Sequence, residues 1–110
     1  MNAILIRADE RVERVPVTSD FNYKKIQECV GGYFEAVGTR FRNISTFLNE
    51  EGKLKGLPYN DIATSIDEYS AVIVGDVLLM HSCINEGGDL DQEGFDYERC
   101  EEIESLLMIL

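Results

Sequence analysis

The spacing of apolar residues changes several times along this chain, and each change predicts a different element. Short or alternating apolar runs over residues 3–7 and 11–17 predict two strands that form a hairpin around residues 8–10. Pro16 cannot donate to a strand ladder, so the second strand belongs at a sheet edge or ends near Pro16. Further strands are predicted over residues 33–37 and 44–48. Residues 71–80 are the most hydrophobic run and predict a central strand covered on both faces, with a bulge or kink at Gly75.

Polar capping residues and three- to four-residue apolar spacing predict the helices. A helix over residues 21–30 should end at Gly31, because glycine tolerates the left-handed C-cap conformation. A short helix over residues 59–66 would be capped by Asn60 or Asp61. Apolar residues recur at helical spacing from residue 96 to 110 and predict a C-terminal amphipathic helix. Residues 85–94 are interpreted as a polar loop. The N-cap candidates for the first helix are Thr18, Ser19 and Asp20.

These elements predict one α+β domain over residues 1–110, with a small mixed or antiparallel sheet, an N-terminal hairpin, one helix after it and a C-terminal amphipathic helix. Hydrophobic residues make up 45% of the chain and charged residues 28%, as in ordinary globular domains. No apolar run is long enough to cross a bilayer, and the three cysteines form no Cys-x-x-Cys pair. We therefore expect a cytoplasmic protein with reduced thiols and no membrane association.

The formal charge of −11 is distributed unevenly. Residues 1–55 hold eight acids and nine bases, whereas residues 56–110 hold thirteen acids and Arg99 alone. Direct nucleic-acid binding is disfavoured, because neutralising phosphates requires clustered Lys and Arg. The acidic segment instead predicts a surface that attracts a basic protein, and the alternative is that it only keeps the protein soluble. The predicted partner-binding residues are Glu86, Asp89, Asp91, Glu93, Asp96, Glu98, Glu101 and Glu102.

Candidate metal and catalytic motifs are incomplete. Residues 89–94 resemble the start of a calcium loop, but the twelfth position is Cys100 where a bidentate glutamate is needed. A solvated acidic loop is the favoured interpretation. His81, Cys83 and Cys100 lack the spacing of a zinc site. Acids beside Cys100 should raise the pKa of its thiol, which favours a structural cysteine over a nucleophile. We predict no metal, no cofactor and no catalytic residue.

Four segments together resemble a family of small uncharacterised proteins, known only as a domain of unknown function and found in phages and mobile elements. They are ILI at 4–6, VGGYFE at 30–35, LNEEGKLKGLPYN at 48–60 and IVGD at 73–76. The block at 48–60 is the specific part. The resemblance implies an α+β fold and a mobile-element origin, and it implies no reaction. It thins after residue 80, which suggests that the acidic loop at 86–93 is this protein's own addition.

Two functional hypotheses follow. The first is a non-enzymatic phage or mobile-element accessory protein that binds a basic host or phage protein through its acidic C-terminal half, with inhibition of host defence as one such role. The second is a small-molecule or nucleotide binder that uses the loop at 50–60. Five consecutive apolar residues at 106–110 cannot all face one core, which predicts a homodimer through the C-terminal helix. The candidate ligand-binding residues of the second hypothesis are Lys53, Lys55, Tyr59 and Asn60.

Overall fold

An antiparallel sheet built around one long strand organises the computed structural model, which describes residues 1–84 and 90–109. The strands are β1 (Asn2–Ile6), β2 (Val12–Pro16), β3 (Phe34–Gly38), β4 (Ile44–Asn49), β5 (Val77–Ile84) and β6 (Leu90–Glu93). The helices are α1 (Tyr23–Val30), α2 (Asp61–Ile66) and α3 (Tyr97–Met108). The strand order is β2-β1-β5-β4-β3, and β6 also pairs with β5. This architecture confirms the predicted α+β class, and of the two predicted forms of the sheet, mixed or antiparallel, it is the antiparallel one.

Helices cover both faces of the sheet. In β1, Ile4 and Ile6 pack with α2 and α3 on one face, whereas Leu5 packs with Ile26 of α1 on the other. Strand β5 repeats this alternation, and its residues 77–80 are at most 1% exposed. The central strand is therefore apolar on both faces because each face meets a helical layer, as the sequence predicts.

The hairpin and the helix ends follow local sequence signals. Strand β2 forms one sheet edge, so Pro16 lies where a missing N–H is tolerated. Helix α1 ends at Gly31, whose φ of 82° is left-handed. The predicted N-caps at residues 18–20 are wrong, since the side chain of Asn22 accepts the Lys24 N–H at 2.9 Å. A turn formed by residues 18–21 precedes this cap, so the helix starts later than expected.

The bounds of the central strand differ from the prediction. Residues 71–76 lie outside β5, which starts at Val77 and runs to Ile84. The N–H of Gly75 donates to the carbonyl of Pro58 at 2.7 Å, and the N–H of Asn60 donates to that of Ile73 at 2.9 Å. Residues 73–75 therefore bond to the segment before α2 rather than to a neighbouring strand. Gly75, with a φ of 79°, turns the chain into the sheet.

Strand β6 was not predicted. Strand β1 pairs with β5 only at residues 77–79, which leaves residues 81–84 of β5 without a partner on that side. Residues 90–93 fill this place, with Glu93 opposite His81. Part of the segment predicted to be a loop is thus a strand, because the unpaired end of β5 accepts it. Residues 85–89 of the same predicted loop lie outside the described residues.

Candidate functional site

Three of the predicted acidic residues share the outward face of α3. The helix is capped by Asp96, whose carboxylate accepts the Arg99 N–H at 2.7 Å. Its buried side chains recur at helical spacing and point to the sheet. The 100° step per residue therefore places Glu98, Glu101 and Glu102 on the opposite side, where all three are exposed. We call these three carboxylates the α3 acidic face.

Local contacts offset this charge only in part. Arg99 Nη1 lies 2.9 Å from Glu102 Oε1, an ion pair three residues apart on the helix. The hydrogen bond and negative charge of Glu101 raise the pKa of the Tyr97 hydroxyl. Within the described part of the chain, Glu98 forms no ion pair. The α3 acidic face therefore keeps a negative charge that solvent or a partner must balance.

Basic residues of the first half do neutralise other acids. Arg14 of β2 places its Nε 3.1 Å from Glu104 Oε2, and its guanidinium lies 5.1 Å from the Tyr97 ring centroid. Arg7 Nη1 lies 3.1 Å from Asp76 Oδ2, and that carboxylate also accepts the Ala8 N–H. These pairs bind the N-terminal hairpin to α3 and to the start of β5. Part of the acidic excess is thus internal to the fold, whereas the α3 acidic face is not.

The remaining predicted acidic residues are spread beyond this face. Asp96 is exposed directly before it. Glu93 lies on β6, where its Oε2 is 3.8 Å from His81 Nδ1. Asp91 belongs to β6 by its backbone. Glu86 and Asp89 lie outside the described residues, so the structure places four of the eight residues along or next to α3.

Cys100 behaves as a structural thiol. It is fully buried, and burial is the main cause that raises its pKa, with Glu104 and Asp96 adding to the effect and Arg14 opposing it. Its Sγ lies 3.8 Å from the carbonyl oxygen of Phe95. Among the side chains that the structure describes, no group of three His, Cys, Asp or Glu residues could hold a metal ion.

The four candidate ligand residues of the second hypothesis do not converge. The amide of Asn60 donates to the Ile6 and Gly75 carbonyls at 3.1 and 2.8 Å, and its oxygen accepts the Ala63 N–H at 3.0 Å. Asn60 is 1% exposed, so its assignment as a ligand residue does not fit its place in the fold. Lys53 borders a cavity of about 180 Å³ that includes neither Tyr59 nor Lys55.

A second surface feature was not found from the sequence. A groove of about 450 Å³ opens between the hairpin, α2 and α3. Its lining comes from three distant parts of the chain, and none of them carries a recognisable motif. We call it the acidic groove. Its carboxylates are Glu10, Asp61 and Glu104, and its apolar residues are Val12, Ile62, Leu107 and Met108.

The fold is that of a small α+β domain whose candidate site is a charged surface. The chain belongs to the family described as a domain of unknown function, DUF3846, whose model matches residues 1–101. This match confirms the resemblance to an uncharacterised family. The match extends past residue 80 to residue 101, so the family likeness does not end where the sequence suggested. Whether the loop at 86–93 is this protein's own addition stays a prediction. No curated protein and no solved structure matches the chain. The helices that the structure describes are too short or too polar to cross a membrane.

The segments that carry the family resemblance contact one another. Residues 58–60 bond to residues 73–75 through Pro58, Asn60 and Gly75, as described above. The Asn49 amide donates to the Val30 carbonyl at 3.2 Å, which joins the end of β4 to the end of α1. These segments therefore account for how the elements connect, and the α3 acidic face and the acidic groove lie outside them.

Proposed function

We propose that this protein is a non-enzymatic binding protein that captures a basic protein partner through the α3 acidic face. The observation that supports it is the exposure of three carboxylates on one side of a helix, opposed there by Arg99 alone among the described residues. Like charges three and four residues apart destabilise a helix by about 0.2–0.5 kcal/mol per pair. A basic partner removes this repulsion and is attracted to the face before contact.

We further propose that the partner belongs to the host or phage of a mobile element, and that binding inhibits a host defence. This proposal depends on the sequence resemblance to phage and mobile-element proteins. Expression of the chain in a bacterial host should raise the plating efficiency of a defence-sensitive phage. A variant with the α3 acidic face reversed should lose that effect while accumulating to the same level.

Charge reversal tests the binding surface. The variant with Glu98, Glu101 and Glu102 changed to Lys should lose capture of a basic partner from host lysate, and salt should weaken capture by the natural chain. The matched control reverses three exposed acids elsewhere, Glu28, Glu50 and Glu51, and so carries the same net charge. Equal loss in both variants would mean that net charge alone governs capture, and the proposed face would be rejected.

A small-molecule site beside the loop at 50–60 is a second candidate. Lys53 borders its cavity together with Glu35 and Glu50, whose carboxylates disfavour an anionic ligand there. A thermal-shift screen of nucleotides tests it, because a ligand at a hundredfold excess over its Kd stabilises by about 2.7 kcal/mol. Stabilisation that disappears in the Lys53→Ala variant would support this candidate over the first.

Homodimerisation through α3 stays a prediction. Met108 and Ile109 are 85% and 80% exposed, which leaves two large apolar side chains at the end of α3 in contact with water. A dimer would cover them. Light scattering tests this prediction: twice the monomer mass, returning to the monomer value in the paired Met108→Ser and Ile109→Ser variant, would support a dimer, and the monomer mass for the natural chain would reject it.

A further inference from the structure

The acidic groove extends the hydrophobic core to the surface. Val12 and Ile62 are partly buried and pack against the core cluster that contains Leu107. Met108 stands beside them and is 85% exposed. The groove volume of about 450 Å³ lies within the range of about 300–1,000 Å³ that is typical of ligand sites. An apolar side chain of a bound molecule would therefore pack against groove residues that are part of the hydrophobic core or in contact with it.

Two carboxylates at the edge of the groove have no basic side chain of the described residues paired with them. Glu104 forms an ion pair with Arg14, whereas Glu10 and Asp61 are exposed and form no ion pair with any described residue. Helix α3 also ends here, since Leu107 and Met108 line the groove, and its last turn contains no basic residue. The negative end of the helix dipole thus adds to the two carboxylates.

We propose that the acidic groove binds a segment of the basic partner that inserts one large apolar side chain against Ile62 and Met108 and places a Lys or Arg beside Asp61 and Glu10. This inference rests on the proposed function and adds the chemistry of the partner segment. A second copy fits less well, because the exposed end of its own α3 would bring carboxylates and another negative dipole end to the same place. Charge complementarity selects a cationic occupant, and the apolar floor selects one that also carries an aliphatic or aromatic side chain.

Two synthetic peptides of equal charge test both requirements. One has four lysines around a central leucine, and in the other a serine replaces the leucine. In spectra of the ¹⁵N-labelled chain, the leucine peptide should shift the amide signals of Val12, Ile62 and Met108. Burying the leucine should make its Kd about tenfold lower than that of the serine peptide.

Variants of the groove then separate the two contributions. Asp61→Lys should weaken both peptides by about threefold or more, since an exposed charge pair is lost and a repulsion replaces it. Met108→Ser should weaken only the leucine peptide. Glu35→Lys is the control, because this exposed acid lies on β3, away from the groove, and its reversal changes the net charge equally.

Equal affinity of the two peptides, shifts confined to α3 acidic face residues, or no binding at all would overturn the groove proposal. A dimer that dissociates on Met108→Ser would also overturn it, because a second copy would then cover the groove. A different result rejects the proposed function, namely that the charge reversal of Glu98, Glu101 and Glu102 leaves partner capture unchanged. The two failures are therefore distinguishable.

Discussion

Replacing Asn60 tests whether the segment that carries the family resemblance serves the fold. The side-chain oxygen of Asn60 caps α2, and its amide donates hydrogen bonds to the Ile6 and Gly75 carbonyls. These bonds join three separate parts of the chain. Alanine at this position removes all three hydrogen bonds at a site that is 1% exposed. Serine keeps an N-cap oxygen and removes only the two amide donors.

The magnitude follows from these contacts. Loss of an N-cap side chain costs about 1 kcal/mol, and each of the two buried hydrogen bonds contributes about 1 kcal/mol more. Asn60→Ala should therefore lower the free energy of unfolding by about 3 kcal/mol, and Asn60→Ser by about 2 kcal/mol. For a domain of this size, these losses correspond to falls in Tm of about 12 °C and 8 °C.

Asn22→Ala is the matched control. Asn22 is also an N-cap asparagine, but it is exposed and its side chain accepts one hydrogen bond, from the Lys24 N–H. Its replacement should cost about 1 kcal/mol, or about 4 °C in Tm. Urea unfolding followed by circular dichroism gives the three free energies, and calorimetry gives the Tm values. Equal losses for Asn22→Ala and Asn60→Ala would show that the tertiary hydrogen bonds of Asn60 contribute nothing, and the structural explanation of the segment would be refuted.

Four further predictions concern the same scaffold. Gly75→Ala should destabilise by about 2 kcal/mol in urea unfolding, against about 1 kcal/mol for Gly56→Ala, because both have positive φ but only Gly75 lies against a side chain. Arg14→Lys should cost about 1 kcal/mol in the same assay, since lysine cannot reproduce the paired hydrogen bonds or the ring contact. Cys100 should react with maleimide more slowly than the partly exposed Cys29. Burial raises the pKa of the Cys100 thiol in the folded protein above its ordinary value of 9.0. The contribution of Cys100 to stability is therefore fully present below about pH 9 and is lost as the pH rises through the folded pKa. Urea unfolding at a series of alkaline pH values measures this loss.

The elements that the sequence predicts well are those with local periodicity. Strands β1 and β4 bury short, mostly apolar runs and α3 buries helically spaced apolar residues, so the local pattern itself indicates these elements. The N-cap of α1 was missed because residues 18–20 and Asn22 are all good caps. Which of them is used depends on where Ile26 can reach the sheet, and this is a tertiary constraint.

Strand β6 and the true start of β5 depend on contacts between distant residues. Residues 90–93 are mostly polar, and they form a strand because residues 81–84 offer unpaired backbone groups. Residues 73–75 are apolar but bond to residues 58–60 instead of to a strand. In both places the hydrogen-bonding partner, which no local pattern reveals, decides the conformation.

The candidate surfaces divide in the same way. The α3 acidic face could be predicted because its residues follow one another on one helix, and the helical step fixes their side. The acidic groove could not, since the hairpin, α2 and α3 meet there only through the fold of the sheet. The sequence therefore reveals charged residues that lie close together in the chain, and it does not reveal charged residues that only folding brings together.

The distribution of ion pairs explains why the acidic excess is compatible with a stable fold. Arg7 and Arg14 neutralise Asp76 and Glu104, the acids that contact the hairpin, where an unpaired charge would be partly desolvated. The acids on the outward side of α3 are exposed to solvent, so their repulsion is screened over about 8 Å at physiological salt and costs little. These exposed carboxylates form no contact on which the sheet or its core depends. Their concentration on one side of one helix therefore has its largest physical effect outside the protein, as a field that acts on whatever approaches α3.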